Sequence, residues 1–126
     1  MSQQIGVLDI TRKAEKDLST KQYRFVEMGA AAGQIDVCDD TSDLVLGVLQ
    51  DKPNAANKLC TIRVMGTTKV ICSDTVTEMS RVGTSSNGGC VMKNVDGGLV
   101  AGIALEAGVI GDIIEILLTP VAQRAA

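Results

Sequence analysis

Apolar and polar positions along this chain recur with the two-residue period of strands, and no segment carries the period of an amphipathic helix of ordinary length. The clearest pair lies in Leu44–Thr67. Leu44–Leu49 is apolar on both sides of a single glycine, and Leu59–Met65 alternates, with Cys60, Ile62 and Val64 facing one way and Thr61, Arg63 and Met65 the other. The Asp-Lys-Pro-Asn between these runs is turn chemistry. Thr68–Cys72 follows almost directly from Gly66, which predicts a bend or bulge at that glycine, a device that curls a sheet. Upstream, Gln22–Met28 alternates with Tyr23, Phe25 and Glu27 on one face, and Ile35 and Val37 mark a short strand. Downstream, Arg81–Thr84, Cys90–Lys93, Leu99–Leu105 and Asp112–Leu118 are further strands. Turn signals separate them: Gly29–Gly33, the acidic Asp39–Asp43, Ser85–Gly89 with its Asn-Gly, Asp96–Gly98 and Ala107–Gly111. Pro120 is expected to end the last strand and leave 120–126 as a tail.

One pattern repeats. LVLGVLQD (Leu44–Asp51) is echoed by LVAGIALE (Leu99–Glu106), and each copy is followed by a strand. Residues 44–66 and 99–118 therefore read as a pseudo-repeat, the two copies forming facing halves of one barrel. Short strands with turns at close spacing predict an all-β fold, a small β-barrel or β-sandwich. Residues 1–20 differ from the rest: Ile5, Val7, Leu8 and Ile10 make a short apolar patch ahead of the charged run Thr11–Lys21. Two readings stand for this segment, an extended arm leaving the domain or a first strand over Val7–Ile10. With the arm, the chain divides into residues 1–20, a β-barrel domain over 21–119 and the tail.

Composition narrows the picture. A length of 126 residues suits one domain. The chain is 45% hydrophobic but only 2% aromatic, so its core is built from Val, Ile, Leu, Ala and Met. Net charge is −3 and pI about 4.8, with no basic stripe to meet a phosphate backbone and only Tyr23 and Phe25 to stack on bases; nucleic acid is not an expected partner. The N-terminus lacks the apolar core of a secretory signal, and no apolar run reaches the ~18 residues of a membrane span, so a cytoplasm-like compartment and no membrane partner are expected. Cys38, Cys60, Cys72 and Cys90 never form a C-x-x-C pair; Cys60 and Cys72 share the parity of apolar strand neighbours, which points to reduced core thiols rather than disulfides or a zinc site.

Catalytic chemistry is scarce. There is no histidine, so imidazole-based triads and histidine–metal sites are excluded. No G-x-S-x-G or S-x-x-K motif is present. GGLVAG (Gly97–Gly102) lacks the lysine and hydroxyl residue of a phosphate loop and runs into a strand. Asp39–Asp43 is the one acidic cluster, without the length or terminal glutamate of a calcium loop, and reads as a solvated turn. Glu106 and Glu115 read as edge charges that oppose aggregation. No cofactor is expected, and the chain is expected to bind or build rather than to react.

Several stretches then resemble a known family. Asp17–Val26 (DLSTKQYRFV), Gly47–Ala55 (GVLQDKPNA), Ile62–Val70 (IRVMGTTKV) and Gly102–Leu118 (GIALEAGVIGDIIEILL) are similar, in order and spacing, to the small all-β decoration or cement proteins of tailed-bacteriophage heads. The resemblance implies a non-enzymatic virion protein, assembled in the host cytoplasm and bound to the outer surface of the head. It implies the phage major capsid protein as partner, neighbouring capsid subunits as what is stabilised, and a homo-oligomer, a trimer, as the working form. On this reading the N-terminal arm is the clamp, with Ile5, Val7, Leu8, Ile10 and Arg12 as the capsid-binding residues. A head-fibre base or other small tail component is the alternative, and a trimeric β-barrel hydrolase comes third.

Overall fold

The computed structural model describes residues 6–93 and 99–124. The described residues are all-β: β1 (Gly6–Ala14), β2 (Phe25–Met28), β3 (Gln34–Val37), β4 (Gly47–Leu49), β5 (Leu59–Ile71), β6 (Arg81–Thr84), β7 (Cys90–Met92), β8 (Leu99–Ala104) and β9 (Ile113–Arg124). They form one sheet in the order β1-β3-β2-β4-β5-β9-β8-β6-β7, with β1 also pairing β5. That extra pairing closes β1, β3, β2, β4 and the first part of β5 into a ring. The rest of β5 opens a second ring with β9, β8, β6 and β7, which a parallel bridge between Cys72 and Cys90 closes.

Gly66 is where β5 passes from one ring to the other. It pairs with Gly6 of β1 and with Leu118 of β9, at a φ of 105° that an L side chain rarely adopts. The bend expected at this glycine is therefore the hand-over between two rings. Even-numbered residues point inward along the whole strand: Cys60, Ile62 and Val64 belong to one core, Val70 and the following Cys72 to the other.

The rings are two copies of one construction. Ala14 pairs in parallel with Ile35 as Cys72 does with Cys90. Phe25 faces Val48 as Arg81 faces Ile103, and Leu49 faces Ile62 as Ala104 faces Ile116. Tyr23 and Met79, neither a glycine, have φ of 64° and 67°, and donate their N–H groups to Leu49 O and Ala104 O. Asp51 accepts from the N–H of Thr61, and Glu106 from that of Glu115, so the last residue of each echoed octapeptide caps the next strand. The first core (Ala14, Leu18, Val26, Ile35, Leu49, Cys60, Ile62) maps position by position onto Cys72, Val76, Val82, Cys90, Ala104, Ile114 and Ile116 of the second. The second core also takes in Phe25, Cys38 and Val48, which lie on the outer side of the first ring. Adjacent residues of β2 and β4 thus serve opposite cores, and that wall joins the halves.

Three expectations are corrected. The pseudo-repeat extends beyond 44–66 and 99–118, and its copies are not facing halves of one barrel; each closes its own ring. Of the two readings of the N-terminal segment, the structure shows the strand: β1 pairs β5 from Gly6 to Lys13, and Ala14 and Leu18 are fully buried, so residue 20 is no boundary. The charged run conceals this because Thr11 and Lys13 take outward positions of an edge-like strand. Pro120 does not end the last strand, since β9 continues to Arg124. The register steps from Leu118↔Gly102 to Gln123↔Val100, and the missing N–H of Pro120 falls in that irregular stretch. Of the proposed tail, only residues 125–126 lie outside the described residues.

Candidate interaction surface

The proposed contact residues separate into distinct environments. Ile5 lies outside the described residues. Val7 and Leu8 are 70% and 47% exposed at the start of β1, beside register shifts on both sides of Leu8, which pairs with Met65. Ile10 packs against the first core and so is not a surface anchor: its even position faces inward. Arg12 is half-buried, its Nη1 donating to Thr11 O at 2.8 Å. The exposed end is held firmly, because Arg63 donates from Nε and Nη2 to the two carboxylate oxygens of Asp9 at 2.9 and 3.1 Å. An apolar pair, Val7–Leu8, is therefore presented on a strand pinned to β5.

A second apolar feature escaped the sequence reading. Val109 and Ile110 are 54% and 73% exposed at the tip of the turn between β8 and β9. Gly108 and Gly111 flank them, so the segment read as an ordinary loop; the signal was two branched apolar residues where a turn ordinarily carries polar ones.

The Asp39–Asp43 turn is tied by its own side chains. Asp43 Oδ2 accepts from the N–H groups of Asp39 and Asp40, both at 3.0 Å, and Asp40 accepts from Ser42. Asp43, Glu27 and the buried Cys38 offer ligand atoms within 4.8 Å of one another. Burial, then the hydrogen bond to Asp43, push the Glu27 carboxyl up to about 7. Burial also opposes ionisation of Asp43, but the Glu27 hydrogen bond and the backbone N–H groups outweigh it and hold that carboxyl below its usual range. Burial, with the charge of Glu27, pushes the Cys38 thiol to about 12. Cys60 and Cys72 rise to about 11 for the same reason, burial, and Cys90 is raised too; all four are buried free thiols, poor nucleophiles and poor metal ligands in this state.

The Glu27 pair makes stability depend on pH. Its carboxyl binds a proton more tightly folded than unfolded, so between 4.5 and about 7 the native state carries more protons and stability falls as pH rises, then levels off. Asp43 acts with opposite sign, but only below its usual 3.8. The urea midpoint is expected to be higher at the acid end of the Glu27 window than at its neutral end, and Glu27→Gln should flatten the difference. An unchanged slope in the variant would assign the dependence to other groups.

Glu106 and Glu115, expected as edge charges, are not at an edge: Glu115 lies on β9 between β5 and β8, opposite Lys69, and its N–H donates to Glu106 Oε1 at 2.9 Å. Gly102, from the glycine-rich GGLVAG, lies in β8 against the carbonyl of Leu117. No described helix is long and apolar enough to cross a membrane.

No protein-family model matches this chain, and no curated protein matches it by sequence. Among solved structures, its fold is similar to that of the N-terminal base of the head fibre protein gp8.5 of bacteriophage phi29. The TM-score is 0.67 over 92% of this chain and 97% of that one, at 15% sequence identity. At that identity the likeness is one of fold.

Proposed function

We propose that this protein is a structural component of a bacteriophage head, bound to the outer face of the capsid shell, where it acts in assembly and not in catalysis. The observation that carries the proposal is the whole-chain likeness to a head fibre base, a head protein, found independently of the sequence resemblance to head decoration proteins. The leading form is a decoration protein that bridges neighbouring major-capsid subunits. The second is a fibre base, favoured because the structural neighbour is itself one. The charge agrees with either. A chain of net charge −3 is not drawn to packaged nucleic acid. The docking end in this proposal is Val7–Leu8, which the Arg63–Asp9 pair fixes in place.

Co-sedimentation with expanded, undecorated heads tests this. The wild-type chain is expected to pellet with the heads. Val7→Asp and Leu8→Asp together should weaken binding about tenfold or more without lowering thermal stability, since both side chains are exposed. Full retention by the double variant would move the docking surface elsewhere, and no wild-type binding would contradict the head assignment. In the decoration form, bound heads should resist heat better; in the fibre-base form, binding should leave that resistance unchanged.

A further inference from the structure

The two halves differ in one respect that bears on assembly: the first has a seat that is filled, and among the described residues nothing fills the same seat in the second. In the first half, Tyr23–Phe25 and Val37–Cys38 cradle the Ser85–Gly89 turn of the second half. Phe25 N–H donates to Gly88 O at 2.7 Å, and Arg24 Nη1 donates to Asn87 O at 3.0 Å. Gly88 sits so close that an added Cβ would lie 2.3 Å from Val37 Cγ2. The second half builds the same backbone. Lys93 N–H donates to Arg81 O as Cys38 N–H does to Phe25 O, and Ala104 N–H donates to Ser80 O as Leu49 N–H does to Arg24 O. There the seat is a groove of about 340 Å³ lined by Thr77, Met79, Ser80, Arg81, Met92 and Lys93.

The matching plug is also present, and no described residue cradles it. Gly29–Gly33 is the counterpart of the Ser85–Gly89 turn: Gly29 N–H donates to Gln34 O at 2.7 Å, as Ser85 N–H does to Gly89 O at 2.8 Å. Gly33 and Gly88 have φ of 78° and 80°. Glu15 accepts from the Ala30 N–H at 2.7 Å, at the position where Ser73 bonds Asn87 in the other copy. Yet Ala30, Ala31, Ala32 and Gly33 are all exposed, and a Cβ on Gly33 would meet nothing within 4 Å.

We propose that the Gly29–Gly33 turn of one molecule seats in the Met79–Met92 groove of a second copy of this chain, repeating between molecules the contact that joins the halves within one. The chemistry is complementary. Three alanines make a small apolar tip, and two methionines are side chains that reshape around such a tip. Arg81 and Lys93 flank the groove, while the Glu15 carboxylate sits at the base of the turn. Where the filled seat has Phe25 and Cys38, the open one has Arg81 and Lys93, which suits a contact that forms and dissociates in water. The contact is head-to-tail: each molecule offers one plug and one seat, and assembly proceeds to a ring where the rotation closes and to a filament where it does not.

Sedimentation velocity of the full chain over a range of concentrations tests this, and self-association is expected. Ala31→Glu blocks the plug and Met79→Asp blocks the seat, and both residues are exposed. Each variant alone should associate about tenfold or more weakly, the loss of one well-packed contact. An equimolar mixture of the two retains one working plug and one working seat, so it should form a heterodimer and nothing larger. Ala32→Asp with Arg81→Glu gives a second such pair, and matched melting curves confirm folding. A wild-type chain that stays monomeric, variants that associate like wild type, or a mixture without heterodimer would overturn the proposal.

Discussion

Phe25→Ala is expected to lower stability by about 3–5 kcal/mol, the range for emptying a fully buried aromatic site. Phe25 is the chain's only phenylalanine and has no exposed surface. It lies on β2 of the first half, yet its side chain belongs to the core of the second, and its N–H holds the carbonyl of Gly88. The cavity would therefore open at the joint between halves. Leu18→Ala, confined to the first core, makes the useful comparison. Both should destabilise, but only Phe25→Ala should also loosen the Ser85–Gly89 turn, read as faster amide exchange at Phe25 and at Gly89. Equal exchange in the two variants would mean that the joint does not depend on this ring.

Gly47→Ala and Gly102→Ala are expected to fail alike, each costing about 3 kcal/mol or more, the upper end of what overpacking does. An added Cβ at Gly47 would fall 2.3 Å from the carbonyl oxygen of Arg63, and one at Gly102 would fall 2.3 Å from that of Leu117. Those oxygens are backbone atoms of paired strands, so relief requires prising β4 from β5 or β8 from β9. Gly33→Ala is the control: its φ of 78° carries a backbone penalty of roughly 1–2 kcal/mol but no clash. Urea denaturation of the three variants gives the ranking. A mild Gly102→Ala beside a severe Gly47→Ala would show that the halves are less alike in strain than in register.

This glycine pair also explains what the sequence could reveal. LVLGVLQD and LVAGIALE are alike because Gly47 and Gly102 make the same close approach and Asp51 and Glu106 cap the same strand position; backbone contacts tolerate few residues. The rest of the duplication lies in cores, where volume is conserved in sum and not at each site. Leu49 and Cys60 become Ala104 and Ile114, and Ile35 becomes Cys90, so pairwise comparison finds little. Tyr23 and Met79 share a positive φ that neither residue type advertises. The period of two made the strands legible. It could not show that β5 is one strand serving two rings, because Gly66 interrupts the pattern without ending it.

The surface was legible in part. Val7 and Leu8 are exposed as apolar residues on a first segment should be if they dock, but Ile10 is absorbed by the core, a distinction that depends on the pairing of β1 with β5. The groove was not legible at all, since Met79, Ser80 and Arg81 meet Met92 and Lys93 only through the register of β6 and β7. Likewise Glu27 and Asp43 lie on different elements, and only the folded turn brings their carboxyls within hydrogen-bonding reach.

Placement on the outer surface of the head is decided by a density map, at side-chain resolution, of phage heads mixed with the purified chain. Two side-by-side rings of strands are expected on the outer face of the shell, with the Val7–Leu8 end of β1 against major-capsid subunits. Bare shells at saturating protein, or rings docked only on the tail, would refute that placement.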